Sequence, residues 1–99
     1  MKLVLSPAAI RDLQSIVDYT FHTWGAEQEE LYLKMLWRKL EEIRDRPEIH
    51  RFRDDLAIKC RSARHGKHVI FFTEVEDSVQ VVRILHSAMD LDIHLMPEN

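Results

Sequence analysis

The chain has 99 residues, 45% of them hydrophobic and 31% charged, with a formal net charge of −3 at pH 7. That length makes one domain, residues 1–99, able to bury roughly 60 to 70% of the surface its unfolded chain exposes, and it leaves no room for a second core. The longest apolar run is far short of the roughly 20 residues a membrane span needs. The single Cys60 excludes an internal disulfide, and residues 1–5 are too short an apolar stretch for a signal peptide, so a reducing cytoplasm is the expected location.

Residues 2–5 read as a short strand, ended by Ser6-Pro7. Ser caps the next helix, and Pro fits its first turn, where no N–H is needed. Ile10, Leu13, Ile16, Val17, Thr20, Phe21 and Trp24 fall on one stripe at helical spacing, and Gly25 closes the helix. A second helix is predicted over 26–46, stopped by Pro47, with Glu27, Glu29 and Glu30 early and Arg44 and Arg46 late, an order that complements the helix dipole. So short a connection makes the two helices an antiparallel hairpin. On the second helix Tyr32, Met35, Leu36, Leu40 and Ile43 form a stripe. Leu31 on one flank and Leu33 and Trp37 on the other widen it beyond what one packing contact consumes.

Residues 48–57 have no clear period and read as a loop. Three antiparallel strands follow: 58–64, then a two-residue turn at His65-Gly66, 67–75, a turn at Glu76-Asp77-Ser78, and 79–86. The last of these is apolar on both faces except for Arg83, whose guanidinium must be paired or point into a site. A short helical turn is expected after Ser87, with a frayed end. The order β-α-α-β-β-β places the chain in the α+β class, with a helical hairpin packed on one face of a small, mainly antiparallel sheet and a short C-terminal helical tail.

Charge is uneven: residues 1–33 carry −3, 34–67 carry +5 and 68–99 carry −5. The basic middle third reads either as a solvated face or as a contact for nucleic acid or an acidic protein. No nucleotide-binding, zinc-protease or hydrolase motif is present, and no cofactor is implied. The six histidines fall at no metal-ligand spacing, so no metal site is expected. Glu41 and Glu42 diverge on their helix, and Asp54-Asp55 sits among cations, so neither pair makes an acid-base couple. Cys60 reads as a packed thiol. The stronger constellation is Arg61, Arg64, Arg83 and His86, which could hold phosphate or acidic side chains with His86 as an acid-base group. Its structural alternative has Arg83 paired with Asp90 or another acid to fix the tail, and His86 closing the strand.

The ordered pieces Leu5-Ser6-Pro7-Ala8-Ala9, Asp18-Tyr19-Thr20, Trp24-Gly25, Arg53-Asp54-Asp55-Leu56, residues 64–72 and Val82-Arg83-Ile84-Leu85-His86, with Met89-Asp90 and His94-Leu95, resemble the ParE toxins of the RelE/ParE superfamily. The resemblance implies a bacterial cytoplasmic toxin of a type II toxin-antitoxin system, neutralised by a ParD-like antitoxin whose C-terminal segment folds against it. It also implies DNA gyrase as the target, inhibited by binding and without catalysis, with no direct DNA binding by the toxin alone. An amphipathic antitoxin helix is expected against Leu31, Leu33 and Trp37. Arg61, Arg64, Arg83, His86 and Met89 are the candidate toxic surface. Two alternatives stand beside this reading: a ribosome-dependent mRNA endonuclease of the RelE type, poorly matched because Tyr19 and Tyr32 both lie on helices, and a non-toxic relative that only binds antitoxin.

Overall fold

A computed structural model of the chain describes residues 1–88. Strand β1 (Lys2–Leu5) leads into α1 (Pro7–Trp24) and α2 (Ala26–Asp45). A 3-10 turn, Pro47–Ile49, then precedes β2 (Arg51–Arg53), β3 (Cys60–His65), β4 (His68–Val75) and β5 (Ser78–His86). The five strands make one sheet in the order β1-β5-β4-β3-β2, with β1 parallel to β5 and every other pair antiparallel. The expected helical tail falls in residues 89–99, outside the described residues.

Ser6 fixes how the chain leaves the sheet. Its hydroxyl accepts from the Ala9 N–H at 3.0 Å, capping α1, and donates to the Val82 carbonyl at 2.7 Å. Its own N–H donates to the Val81 carbonyl. Helix start and central strand are therefore joined through one residue. At the far end, Gly25 has φ 92° and ψ 175°, a region open essentially to glycine, and it alone separates α1 from α2.

The core lies between the hairpin and one sheet face: Ala9 and Ile16 from α1, Leu36, Leu40 and Ile43 from α2, and Ala63, Ile70, Phe72, Val79, Val81 and Ile84 from the sheet. A smaller cluster of Cys60, Phe71 and Leu85 lies on the opposite face, where Leu56 and Ile58 from the 54–59 loop pack against it. That loop explains why both faces of the central strands are apolar although helices cover only one. The predicted stripe on α1 is shifted: Ile10, Phe21 and Trp24 remain 45%, 48% and 68% exposed. Its buried line is Ala9, Ile16 and Thr20, whose hydroxyl donates to the Ile16 carbonyl.

Four sequence expectations need correction. The 48–57 segment is not all loop: Arg51–Arg53 pairs antiparallel with Cys60–Ser62 as an edge strand, too short to show a period. β3 begins at Cys60, two residues later than expected. His65 pairs with His68, so the hairpin loop is Gly66-Lys67, with Gly66 at φ 59° in its first position rather than its second. Val75 likewise pairs with Ser78, leaving Glu76-Asp77 as the second loop, with Glu76 at φ 53°.

Candidate functional site

Two surfaces and one cluster of side chains stand out. The first surface is the outer side of the hairpin. Successive helical residues are about 100° apart, so Leu31 and Leu33 project about 160° apart around α2. Leu33 turns toward α1 and, with Leu13, Gln14, Val17 and Asp18, lines a shallow cavity of about 400 Å³. Trp37, one turn beyond Leu33, continues that flank and is 48% exposed, while Leu31 and Met35 form a separate strip on the other flank. The predicted surplus of apolar surface is present, but Leu31, Leu33 and Trp37 do not share one groove.

The second surface is the sheet and its basic side chains. β5 carries a bulge: Phe71 pairs with Arg83 while its neighbour Phe72 pairs with Val81. Val82 is the extra residue, so the inward positions change parity from Val79 and Val81 to Ile84. Arg83 consequently lies opposite Phe71 and bends round the strand edge to Asp12 of α1. Its Nε and Nη2 donate to the two carboxylate oxygens at 2.7 and 2.9 Å. Asp12 Oδ2 also accepts the Ile84 N–H at 3.0 Å, serving the edge of β5 beyond the end of β1. Among the described residues Arg83 meets an acid at Asp12, seventy-one residues away in sequence, while Asp90 lies outside the described residues.

The other candidates are divided. Arg61 alternates with buried Ala63 toward the helix side. It ion-pairs with Glu74 at 3.1 Å, donates to the His50 carbonyl and lies over the Phe52 ring. Arg64 is on the other face, exposed beside the hairpin loop, with Nε donating to the Gly66 carbonyl. His86 alternates with Ile84 on the helix side, and its Nδ1 accepts from the Ala88 N–H. Met89 lies outside the described residues. Arg64 and His86 share one end of the sheet, whereas Arg61 and Arg83 do not join them. Arg53 pairs with Asp55 at 2.8 Å, and its hydrogen bond holds that carboxyl at about 2. Cys60 is a packed thiol, and burial pushes its pKa up.

A cluster absent from the sequence reading sits at the Arg64–His86 end. His65, His68 and His86 form a row of cross-strand partners over β3, β4 and β5 on the helix-facing side. Tyr32 of α2 closes over the first two. Its hydroxyl hydrogen-bonds His68 Nδ1 at 2.5 Å, and its ring centroid is 5.1 Å from His65 and 5.8 Å from His68. His68 and His86 meet edge to face at 5.7 Å. Burial, and secondarily Lys39, lowers the His65 pKa; burial, then His86 and His65, lowers that of His68; burial raises that of Tyr32. The pattern His65-Gly66-Lys67-His68 would have shown the histidine pair once the loop was placed on Gly66-Lys67. Nothing in the sequence marked Tyr32 as its lid. Among the described residues no cluster of His, Cys, Asp or Glu is arranged to hold a metal ion.

A capped helical hairpin with apolar strips on its outer flanks, laid on a small sheet with a basic edge, defines a compact α+β binding scaffold. The family of ParE toxins of type II toxin-antitoxin systems, parDE, matches over residues 3–91. Toxin ParE1 of Mycobacterium tuberculosis is 36% identical over 95 residues, covering 95% of this chain and 97% of that protein. Toxin ParE1 of Caulobacter vibrioides is 33% identical over 91 residues, covering 92% and 94%. A solved structure of the chromosomal ParDE TA system from P. aeruginosa superposes with a TM-score of 0.63 at 19% identity, covering 87% of this chain and 95% of that chain. This chain belongs to the ParE toxin family and is the toxin component of a type II toxin-antitoxin system. No helix among the described residues is long and apolar enough to cross a membrane.

Proposed function

We propose that this toxin acts in the cytoplasm as a single domain that inhibits DNA gyrase by binding, and that a ParD-like antitoxin neutralises it. The observation that carries the partner reading is the apolar flank of the hairpin, where Leu33 lines a shallow cavity with Leu13 and Val17 and Trp37, one turn further along α2, is half exposed. An amphipathic antitoxin helix laid there buries these side chains, and Trp37 supplies an aromatic anchor. Leu31 contributes only if the antitoxin chain wraps round to the opposite flank of α2. The toxic surface is assigned to the hairpin-loop end, where Arg64 and His86 stand on opposite faces of the sheet and Met89 follows in the chain; Arg61 and Arg83, paired with Glu74 and Asp12, lie apart from it. Direct DNA binding by the toxin alone is not part of the mechanism, in keeping with a net charge of −3.

A second reading, mRNA cleavage at the ribosome, is favoured by one observation: Tyr32 meets His65 and His68, and His68 meets His86, a set able to move protons. Supercoiling by gyrase, run beside ribosome-programmed mRNA cleavage at matched toxin concentration, separates the two. Loss of supercoiling with intact mRNA is expected, and cut mRNA with unaffected gyrase overturns the proposal. Silence in both assays with tight antitoxin binding points to a non-toxic antitoxin-binding relative. For the partner surface, Trp37→Glu is expected to weaken antitoxin binding at least tenfold by calorimetry while leaving the thermal midpoint nearly unchanged. Unchanged affinity removes Trp37 from the interface.

A further inference from the structure

We propose that His65 and His68, roofed by Tyr32 and flanked by His86, form an acid-sensitive latch that holds the N-terminal half of α2 on the sheet while these two imidazoles are neutral and loosens it when they gain protons. The geometry sets the argument. The three residues are consecutive cross-strand partners on one face, so their side chains are as close as neighbouring strands allow. Tyr32 touches two of the rings and hydrogen-bonds one, and α2 meets this end of the sheet through that side chain.

The groups facing His65 and His68 are Tyr32 and Lys39 from α2, the two histidines themselves from β3 and β4, and His86 from β5. None of these is a carboxylate, so among the described residues a proton on either imidazole meets no counter-charge. Lys39 and the neighbouring rings oppose it, and burial removes the water that would solvate it. His50, also beneath α2, differs in this respect. Its Nε2 is buried without a hydrogen-bond partner but lies 3.8 Å from Glu42 of α2, so its protonation creates an ion pair. Burial and Lys39 nevertheless lower the His50 pKa, so His50 adds an acid sensitivity of its own, and the share that belongs to the Tyr32 end is the part removed by substituting His65 and His68.

The sign follows from linkage. Both pKa values are lowered below the ordinary imidazole value of 6.5, so the unfolded or locally opened state binds more protons than the closed one as pH falls below 6.5. Stability from these groups is complete above that value and is lost progressively beneath it. The inference concerns the isolated toxin and stands apart from the gyrase and antitoxin readings.

The test is urea unfolding of the wild-type chain at pH 7.5, 6.5 and 5.5, beside His65→Gln/His68→Gln. In the wild type the unfolding constant is expected to rise below pH 6.5 by up to about tenfold per pH unit for each of the two histidines, and this rise is expected to shrink in the double variant. Amide exchange, corrected for intrinsic rates, is expected to accelerate in the first half of α2 more than in α1. If the variant does not fold, NMR titration of the wild-type imidazoles decides: His65 and His68 titrating below 6.5 support the latch. Titration of both at or above 6.5, a wild-type unfolding constant that changes less than twofold between pH 7.5 and 5.5, or an undiminished slope in the double variant would overturn it.

Discussion

Asp12 is the sharpest place to test how the helices are fastened to the sheet. Its two oxygens take three hydrogen bonds, two from Arg83 and one from the Ile84 N–H, and the side chains of Asp12 and Arg83 are 13% and 22% exposed. Asp12→Ala leaves the Ile84 N–H without its acceptor, a loss of about 1–3 kcal/mol for a buried group. It also removes the two hydrogen bonds that Asp12 accepts from Arg83. Full burial would make that second loss about 3–5 kcal/mol, but a partly exposed guanidinium recovers water, so about 2–3 kcal/mol is expected for the whole substitution. Asp12→Asn keeps one oxygen for the Ile84 N–H and should cost about half as much. Urea unfolding followed by circular dichroism measures both, with the midpoint falling and the m-value unchanged. For a chain of this size the alanine variant should also melt ~10 °C lower. Alanine and asparagine variants within ~0.5 kcal/mol of wild type would refute the view that this carboxylate ties α1 to β5.

Ser6→Ala removes the α1 cap and the donor to the Val82 carbonyl at the bulge; a loss of about 1–2 kcal/mol in urea unfolding is expected, and no loss would mean water serves both groups. At Gly25 an added Cβ meets nothing within 4 Å, so the cost of Gly25→Ala is purely conformational, about 1–3 kcal/mol. A melting point equal to wild type would show that the α1–α2 connection adapts. Cys60 is 3% exposed with a raised pKa, so iodoacetamide should label it about a hundredfold more slowly in native protein than in urea. Equal rates would indicate that the 54–59 loop does not cover it.

Much of the fold was legible in the chain because its signals are local. The Ser6-Pro7 start, the Gly25 break and the Pro47 stop bound the helices through backbone chemistry that adjacent residues supply. Hydrophobic periodicity identified the amphipathic helices, and the runs around Gly66 and Glu76-Asp77 showed the hairpins. The surplus apolar width of α2 was also a matter of counting residues around its axis, and Trp37 and Leu31 do remain half exposed. Strand β2 escaped because three residues carry no period and pair only once β3 is in place.

What the tertiary structure alone decided concerns residues distant in sequence and parity within a strand. A bulge at Val82 is a pairing event between β4 and β5, invisible in either run by itself, yet it determines which way Arg83, Leu85 and His86 project. Arg83 had to be paired because a guanidinium is costly to bury, a physical requirement that applies before any fold is known. That Asp12 meets it, and that Tyr32 closes over His65 and His68, follows only from how the hairpin is laid on the sheet. Local sequence can state that a charge needs a partner or a ring needs a neighbour; which partner it meets depends on long-range packing that brings separate segments within hydrogen-bond reach.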